Sequence, residues 1–560
     1  MHGRLKVRTT EEQKEAKKRE QQEKLKIYLG ATNKIFSKRE KGEYDEEGLE
    51  LTGRLLEQNP DFYTLWNYRR EILLFLKPKK NQEELKALTL VELGLTQNCL
   101  RVNPKSYGAW HHRFWVMEFD PDADWKKELK LCGYFLSKDE RNFHCWDYRR
   151  LVVKKCGVAP EEELTYSTEL IEANFSNYSA WHYRSTLLPI VYPDHSKGSL
   201  KEDILLKELD IVQNAAFTDP SDQSVWFYHR WLLGRSKIPL QILNITVLKP
   251  KKSIAVLFSE PIKIHSKCLK LQVNELSLDV TWNAVSSLTS GSSIWICNLP
   301  CDIDLEDGKS KISVSLEMGN CASSLVCHVS GNKSFAWRNA DRTDAFRSEL
   351  SAAKKEVLEQ ELESCQQLNE LEPDCKWTLF TSILIMRALN DTNFGINWSD
   401  YMEQLIKVDA SRRNYYKDLG SKFVIEDIIE TLPMEADKVN FSNKKLTSLH
   451  HFDQLLLIEK IDLSSNYLTS IYPLCFLICV KDINLDNNQL TNLDGLENLQ
   501  NLKYLSVKKN LIYINSLAVL KTSNSIEELH LEGNPAVDDS EYSTLLKTFP
   551  QLKLIDGILV

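Results

Sequence analysis

The stretch "NPKSYGAWHHRFW", residues 103–115, concentrates two Trp, two His, one Tyr, one Lys and one Arg in a single short segment. Related stretches appear along the chain when it is aligned on Trp. The copies are NPDFYTLWNYRR (Trp66), NPKSYGAWHHRF (Trp110), DERNFHCWDYRR (Trp146), NFSNYSAWHYRS (Trp181) and DPSDQSVWFYHR (Trp226). Their spacings of 44, 36, 35 and 45 residues suit a helical hairpin with loops of variable length.

Each copy follows an amphipathic run, such as LELTGRLLEQ, in which apolar residues recur three and four positions apart. A second helix is predicted to begin near the aromatic residue and to carry W-x-x-R along one face. We therefore predict a mainly α fold, an α-solenoid. In it each Trp is a packing anchor, and each Arg reaches a carboxylate or carbonyl of a neighbouring repeat. The fifth copy departs, with His229 at the Arg position, and weaker copies follow around Trp377 and Tyr416.

The net charge, the lengths of the apolar runs and the cysteine content argue against several classes of protein. A net charge of -8 gives no reason to expect nucleic acid or a membrane as the main partner, and no apolar run is long enough to span a bilayer. The charge-dense start lacks the apolar core of a signal peptide. Thirteen cysteines without C-x-x-C pairs favour reduced thiols and a cytoplasmic location.

The pattern changes between about Pro239 and Ser330, where short β-rich runs alternate with Gly, Ser, Pro and Lys. Six or seven strands at this spacing predict an antiparallel, Ig-like β-sandwich inserted in the solenoid. Cys297 and Cys301 have no nearby His or carboxylate set that would complete a metal site, so we expect buried thiols.

The last part of the chain repeats at intervals of 22, 22, 22 and 24 residues, which is typical of leucine-rich repeats. A ladder of Asn466, Asn488, Asn510 and Asn534 is expected to satisfy backbone groups after each strand, and residues 540–557 read as the C-terminal cap. This indicates either a protein-binding surface or a rigid packing block. The predicted division is therefore 1–238 for the N-terminal segment and helical repeats, 239–340 for the sandwich, 341–437 for further helical repeats and 438–560 for the leucine-rich repeats.

Positions that differ between copies are the better functional candidates, because packing does not explain them. Lys105 stands where other copies have Asp61, Arg141 and Ser176. Along the same edge, a line of aromatics is expected from Tyr63, Tyr107, Phe143 and Tyr178. The sequence shows no nucleophile elbow, P-loop, dinucleotide fingerprint or zinc-ligand spacing. On these grounds alone a helical-repeat scaffold is the default interpretation.

The W-x-x-R hairpins resemble the repeats of protein prenyltransferase alpha subunits, and the inserted sandwich and leucine-rich repeats resemble the Rab geranylgeranyltransferase members of that family. The resemblance implies a subunit that wraps around a barrel-shaped beta subunit, which holds Zn²⁺ and the lipid pocket. It further implies transfer of geranylgeranyl from geranylgeranyl diphosphate to C-terminal cysteines of Rab GTPases presented by a Rab escort protein. The alternative is a non-catalytic helical-repeat adaptor for small GTPases. An alpha subunit of another prenyltransferase is disfavoured by the two extra domains.

The resemblance also implies a set of site residues. The family places a lysine of a K-x-Y-x-x-W frame beside the diphosphate, and in this chain that frame gives Lys105 and Tyr107 as catalytic residues. Residues expected near the substrate are Asn142, Phe143, His144 and Tyr63. Phe143 replaces the tyrosine often found in the family and therefore lacks its hydroxyl. His2 is a candidate ligand for the zinc of the beta subunit, the other interpretation being an unstructured terminal histidine.

Overall fold

The computed structural model describes residues 11–193, 200–234, 240–264, 268–285, 291–319, 321–329, 334–338, 346, 350, 353–389, 397–433, 436–497, 499–522, 525–535 and 549–559. The chain divides into two compact units, residues 1–193 and 194–560. The predicted helical repeats, antiparallel sandwich and leucine-rich repeats are confirmed. Within the described ranges, every helix is too short or too polar to cross a membrane.

The first unit is a long N-terminal helix followed by helical hairpins. Its helices are α1 (Glu11–Glu40), α2 (Glu46–Gln58), α3 (Tyr63–Leu76), α4 (Gln82–Val102), α5 (Tyr107–Phe119), α6 (Trp125–Lys138), α7 (Phe143–Cys156), α8 (Pro160–Ala173) and α9 (Tyr178–Val191). Local sequence determines where many of them begin. The side chains of Asn81, Asp124 and Asn177 each accept a backbone N–H of the first turn, which is the role of an N-cap residue.

The repeated Trp residues are buried packing anchors, as predicted. Each indole Nε1–H donates to the carbonyl six residues earlier, at 2.8 Å in Trp66 and 2.9 Å in Trp110. Gly108 allows the close packing at Trp66, because a Cβ at this position would lie only 2.7 Å from the Trp66 Cδ1 atom. These bonds fix the loop before each second helix to the helix itself.

A buried glutamate in the first helix of a repeat joins that repeat to the one before it. The Glu128 carboxylate accepts 2.8 Å hydrogen bonds from Arg113 of the preceding repeat and from the Tyr148 hydroxyl of its own repeat. The same arrangement recurs as Arg69–Glu92–His112 and Arg149–Glu163–Tyr183. The predicted contact between each repeated Arg and a neighbouring carboxylate is therefore confirmed in these repeats. Such charge-assisted bonds are stronger and more directional than neutral ones, so they hold adjacent hairpins in register.

The second unit begins with helices of the same kind, which are α10 (Glu202–Thr218), α11 (Gln223–Leu233), α12 (Lys355–Leu371), α13 (Lys376–Leu389), α14 (Trp398–Val408) and α15 (Arg413–Thr431). The weaker copies predicted around Trp377 and Tyr416 are the hairpins α12–α13 and α14–α15. His229, which replaces the usual arginine, places Nε2 at 2.7 Å from the Glu361 carboxylate. It therefore takes over the same connecting role.

The inserted sandwich contains two antiparallel sheets. Its strands are β1 (Ile242–Leu248), β2 (Ser253–Ile262), β3 (Leu269–Val273), β4 (Leu276–Leu278), β5 (Asn283–Ala284), β6 (Ser292–Asn298), β7 (Lys311–Met318), β8 (Cys321–His328) and β9 (Phe335–Arg338). The strand order is β5-β6-β2-β1-β9 in one sheet and β4-β3-β7-β8 in the other. Cys297 is buried, but Cys301 is exposed, so the expectation of a buried thiol was wrong for Cys301, which lies in the turn after β6.

The leucine-rich repeats form a parallel sheet from β10 to β15, and β16 pairs antiparallel with β15. The strands are β10 (Lys438–Asn440), β11 (Lys460–Asp462), β12 (Asp482–Asn484), β13 (Tyr504–Ser506), β14 (Glu528–His530), β15 (Leu554–Ile555) and β16 (Ile558–Leu559). Asn466 shows the predicted ladder role. Its Nδ2 donates to the carbonyls of Phe441 and Leu463, and its Oδ1 accepts the N–H of Leu446. Of the predicted cap, residues 540–548 lie outside the described part of the chain.

The three parts of the second unit pack on one another. Ile425 and Ile429 of α15 are fully buried in the core of the leucine-rich repeats, so this helix covers the open end of that core. The first sheet of the sandwich contributes Leu257 to an apolar contact with Leu456. Beside it, the Ser293 hydroxyl donates a 3.0 Å hydrogen bond to the half-buried Asp453 carboxylate.

Candidate functional site

The candidate site is centred on the loop from Asn103 to Ser106, which connects α4 to α5. The Asn103 side chain accepts the backbone N–H of Lys105 at 3.1 Å, and Ser106 caps α5 while its hydroxyl donates to the Pro60 carbonyl at 3.0 Å. These contacts fix the loop backbone but leave the Lys105 side chain exposed. Among the described residues, the structure gives the Lys105 ammonium no anionic partner. A fixed backbone with a free cation is what recognition of an external anion requires.

The carbonyl of Pro104 ties this loop to the third repeat. It accepts a 2.9 Å hydrogen bond from the Trp110 indole and another of 2.9 Å from the Asn142 amide. Asn142 is buried, and its Oδ1 also caps α7 by accepting the N–H groups of His144 and Cys145. One side chain therefore sets both the start of α7 and the place of the residue next to Lys105.

Tyr107 and Phe143, the first residues of α5 and α7, form an exposed aromatic pair with a histidine between them. The Tyr107 ring meets the His144 ring edge-on at 4.2 Å between centroids, and the Phe143 and His144 centroids are 3.9 Å apart. Tyr107 is 71% exposed and Phe143 is 53% exposed, although aromatic rings are usually covered. The pair thus offers an uncovered apolar surface beside the Lys105 loop.

His144 is neutral near pH 7. Burial lowers its pKa below the usual 6.5; the Asp147 carboxylate opposes this shift, and the positive charge of Lys105 adds to it. A neutral imidazole retains one N–H donor and does not repel the neighbouring cation.

The structure brings five of the predicted site residues together, namely Lys105, Tyr107, Asn142, Phe143 and His144. Tyr63 occupies the equivalent place at the start of α3, where it contacts Arg70, whose guanidinium carbon lies 6.0 Å from the ring centroid. Arg70 in turn lies 2.8 Å from the His111 Nδ1 atom. His2 lies outside the described residues.

Sequence reasoning missed the glutamates that connect the repeats. Their signal was present, because Glu92, Glu128 and Glu163 each stand 18 residues before the Trp of their repeat. These glutamates lie outside the stretches that align on Trp. Sequence reasoning also missed the second role of Asn142, the bond to Pro104, since no local pattern indicates a contact between loops 38 residues apart.

The arrangement is suited to binding an anionic ligand with an apolar part. Lys105 and Tyr107 stand at the start of α5, where the helix dipole favours negative charge, and they supply a cation and a hydroxyl donor. Tyr107 and Phe143 supply the apolar surface. Within the described residues there is no group of three or more His, Cys, Asp or Glu able to hold a metal ion, so this part of the chain does not fit a resident zinc site.

Comparison with protein families gives two matches. The family described as protein prenyltransferase alpha subunit repeat matches residues 45–76, 91–120, 125–156, 160–190 and 205–236. The family described as the insert domain of the Rab geranylgeranyl transferase alpha subunit matches residues 242–341, the region of β1 to β9. These matches cover the hairpins that build the candidate site and the sandwich.

Several curated proteins are similar over most of their length. Geranylgeranyl transferase type-2 subunit alpha of Mus musculus is 45% identical over 95% of this chain and 96% of its own length. The Homo sapiens protein of the same name is 47% identical over 82% of each chain, and that of Dictyostelium discoideum is 31% identical over 75% of this chain and its full length. A solved Candida albicans protein geranylgeranyltransferase-I, complexed with GGPP, is 26% identical over 37% of this chain and 66% of its own, with a TM-score of 0.32.

Proposed function

The chain belongs to the family of geranylgeranyl transferase type-2 alpha subunits, and from this premise we propose that Lys105 and Tyr107 complete the catalytic site of a heterodimeric transferase. The alpha subunit pairs with a prenyltransferase beta subunit. The enzyme transfers geranylgeranyl from geranylgeranyl diphosphate to C-terminal cysteines of Rab GTPases. A Rab escort protein presents the acceptor.

The observation that carries this proposal is the free cation of Lys105 beside Tyr107 and the neutral His144. In prenyl transfer the allylic C–O bond breaks, and its electron pair stays on the diphosphate oxygen. The Lys105 ammonium and the Tyr107 hydroxyl donate to the oxygen on which this negative charge grows. By analogy with oxyanion donors, each contributes about 2.7–4 kcal/mol to the transition state.

Other residues of the cluster hold these donors in place. Asn142 positions the Pro104 carbonyl, and therefore the backbone next to Lys105, through its 2.9 Å bond. Phe143 offers no hydroxyl, so it acts as an apolar contact beside Tyr107. Tyr63 is assigned to the same edge, one repeat earlier, as a substrate-proximal residue.

We assign the zinc to the beta subunit, because no described cluster of this chain has the ligands to hold it. When bound there, zinc would favour the thiolate form of the acceptor cysteine. His2 is proposed as a terminal ligand that reaches this ion from the alpha chain. X-ray absorption at the zinc edge should then show one nitrogen ligand fewer in the His2→Ala heterodimer, and an unchanged spectrum would reject the assignment.

The cytoplasmic location is also part of the proposal. The cysteines whose side chains are described are free thiols, which suits a reducing compartment. Several of them are buried, so their role is packing.

Reconstitution tests the function. The full chain is co-expressed with a prenyltransferase beta subunit, purified and analysed for zinc, then supplied with labelled geranylgeranyl diphosphate and a Rab acceptor, with and without escort protein. We expect a stoichiometric heterodimer with about one zinc, and label transferred to the Rab when escort protein is present. A chain that binds the GTPase but forms no zinc-containing heterodimer and transfers no label would instead support the adaptor alternative.

A further inference from the structure

A cleft of about 1170 Å³ lies in the second unit, far along the chain from the Lys105 loop. Two of its walls are α14 and α15. The third wall is formed by the loops that follow β10, β11 and β12 in the leucine-rich repeats. Two structural classes, helical repeat and leucine-rich repeat, therefore build one concavity.

The interior of the cleft is largely apolar. Met402 and Ile406 lie one turn apart on α14 and line it together with Val424 of α15. From the leucine-rich repeats, Leu449 and Pro473 line the opposite side. Ile406, Val424 and Pro473 are only half-buried, so apolar groups of a ligand can be buried against them.

The charges at the cleft are unequally compensated. The two lining carboxylates have partners, because Asp418 accepts a 2.6 Å hydrogen bond from the Thr447 hydroxyl and Glu403 lies 3.9 Å from the Lys445 ammonium. Lys417 and Lys444 also line the cleft and are exposed. Over the part of the chain that the structure describes, neither ammonium has an anionic partner. Among the described lining residues, the three lysines Lys417, Lys444 and Lys445 therefore outnumber the two carboxylates Glu403 and Asp418, which leaves the lining with an excess of positive charge.

A row of exposed side chains, some of them large and apolar, continues from the cleft along the edge of the leucine-rich repeats. Tyr467 lines the cleft and is 52% exposed. Its equivalents in the next two repeats are Gln489 and Leu511, and all three donate their backbone N–H to the repeat before, so their side chains form a row. Leu511 is 48% exposed and Tyr513, two residues on, is 56% exposed. Exposed large side chains in one row beside a cleft are typical of a protein contact surface.

We propose that this cleft and the adjoining row bind a polypeptide segment of a partner protein in which apolar side chains stand beside acidic ones. The cleft exceeds the roughly 300–1,000 Å³ of small-molecule pockets, which favours a chain segment over a metabolite. Apolar side chains of the segment pack on Ile406, Val424 and Pro473, and its carboxylates pair with Lys417 and Lys444. This binding function is independent of the transferase proposal.

Gly420 provides a direct test. It lies in α15 and lines the cleft, and a Cβ there would meet only the Met402 Cγ atom, at an ordinary 3.9 Å. Gly420→Phe should therefore fill the cleft without disturbing the backbone. The matched control is Gly94→Phe, another helical glycine, where nothing lies within 4 Å of a Cβ. For charge, the double variant Lys417→Glu with Lys444→Glu is compared with Lys407→Glu, an exposed lysine of α14 that does not line the cleft.

The probe is a phage-displayed library of random peptides about twelve residues long, selected on the full chain in complex with its beta subunit. We expect enriched peptides to combine Phe, Leu, Ile or Met with Asp or Glu. Their affinity should fall at least about tenfold in Gly420→Phe and in the double Lys variant, and stay unchanged in both controls. Thermal unfolding of each variant shows that the fold is retained, and the double Lys variant remains decisive if Gly420→Phe is unstable.

Several results would overturn the proposal. They are failure to enrich any peptide, enrichment of basic or purely apolar peptides, and binding that neither the Gly420 nor the Lys substitutions weaken. Self-association of the wild-type complex that Gly420→Phe abolishes would place a second copy in the cleft, and would overturn the proposal as well.

Discussion

Asn142 caps α7 and also positions the backbone next to Lys105, because its side chain bonds to the Pro104 carbonyl. In Asn142→Asp, the carboxylate still caps α7, but the Nδ2 donor to the Pro104 carbonyl is lost and an acceptor faces that carbonyl instead. We expect kcat of the heterodimer to fall about tenfold, or roughly 1.4 kcal/mol of transition-state stabilisation, with KM for the diphosphate little changed. Steady-state kinetics on the purified heterodimer measure both constants.

The control for this prediction is Asn177→Asp in the next repeat. Asn177 is the equivalent buried cap of α9, and its Nδ2 atom has no hydrogen-bond partner within the described structure. Its substitution removes no comparable loop contact, so kcat should stay near the wild-type value. Equal losses in both variants would show that Asn142 acts only through helix stability.

His112 makes stability depend on pH. Burial lowers its pKa below 6.5, and the Glu92 carboxylate only partly opposes that shift. The neutral form is favoured in the folded chain, so this stabilisation is complete above about pH 6.5 and is lost as the pH falls through the lowered pKa. Tyrosine occupies this position beside Glu128 and Glu163, so His112→Tyr should keep the carboxylate contact and remove the titration.

For the His112→Tyr variant, we expect a melting temperature near that of the wild type at about pH 7. Between about pH 7 and pH 5 the wild type should lose up to about 2 kcal/mol more stability than the variant. Melting curves across this pH range, recorded for both chains, measure the difference. Parallel pH profiles would contradict the account of His112.

Part of the candidate site could be predicted from the positions of individual residues within the aligned repeats. Aligning the copies on Trp places Lys105 and Tyr107 at the start of one helix and Phe143 and His144 at the start of the next, and neighbouring repeats bring equivalent positions together. The burial of Asn142 could not be predicted this way, because its bond partner is a carbonyl in another repeat. Every residue has a backbone carbonyl, so the sequence does not indicate which carbonyl accepts the bond.

At the scale of elements, the buried glutamates hold successive hairpins together. In Glu163→Gln the Arg149 guanidinium stays buried without its carboxylate, and Tyr183 loses an anionic acceptor. Breaking one side of a buried ion pair costs about 3–5 kcal/mol, so the melting temperature should fall by several degrees. Glu162→Gln, one residue earlier on the exposed side of α8, should leave it unchanged. Similar melting temperatures for the two variants would show that the buried glutamates contribute little to the stability of the fold.

The helical hairpins and the leucine-rich repeats were predictable as elements because both repeat at a fixed interval. The packing between elements was not. That α15 covers the end of the leucine-rich core depends on Ile425 and Ile429. These residues look like any apolar helix face in the sequence. The hydrogen bond from Ser293 to Asp453 likewise joins regions 160 residues apart.

For the whole molecule, the division at 238/239, 340/341 and 437/438 remains our proposal. The shared core between α15 and the leucine-rich repeats predicts that the last boundary separates sequence patterns but not independently stable parts. A chain ending at residue 437 should expose Ile425 and Ile429 and aggregate or unfold at lower temperature. A chain ending at residue 397, before α14, removes that helix pair as well and should behave better in size-exclusion chromatography. A monodisperse 1–437 fragment with unchanged melting temperature would contradict this.

The central claim is that Lys105 of this chain stabilises the diphosphate during transfer by the heterodimer. The most direct test compares kcat for Lys105→Ala, Lys105→Arg and the control Lys86→Ala, an exposed lysine on α4 of the same repeat. We expect Lys105→Ala to lower kcat about 10²–10³-fold with little change in melting temperature, Lys105→Arg to restore part of the loss, and Lys86→Ala to match the wild type. A Lys105→Ala heterodimer that keeps kcat within about twofold of the wild type would contradict the claim.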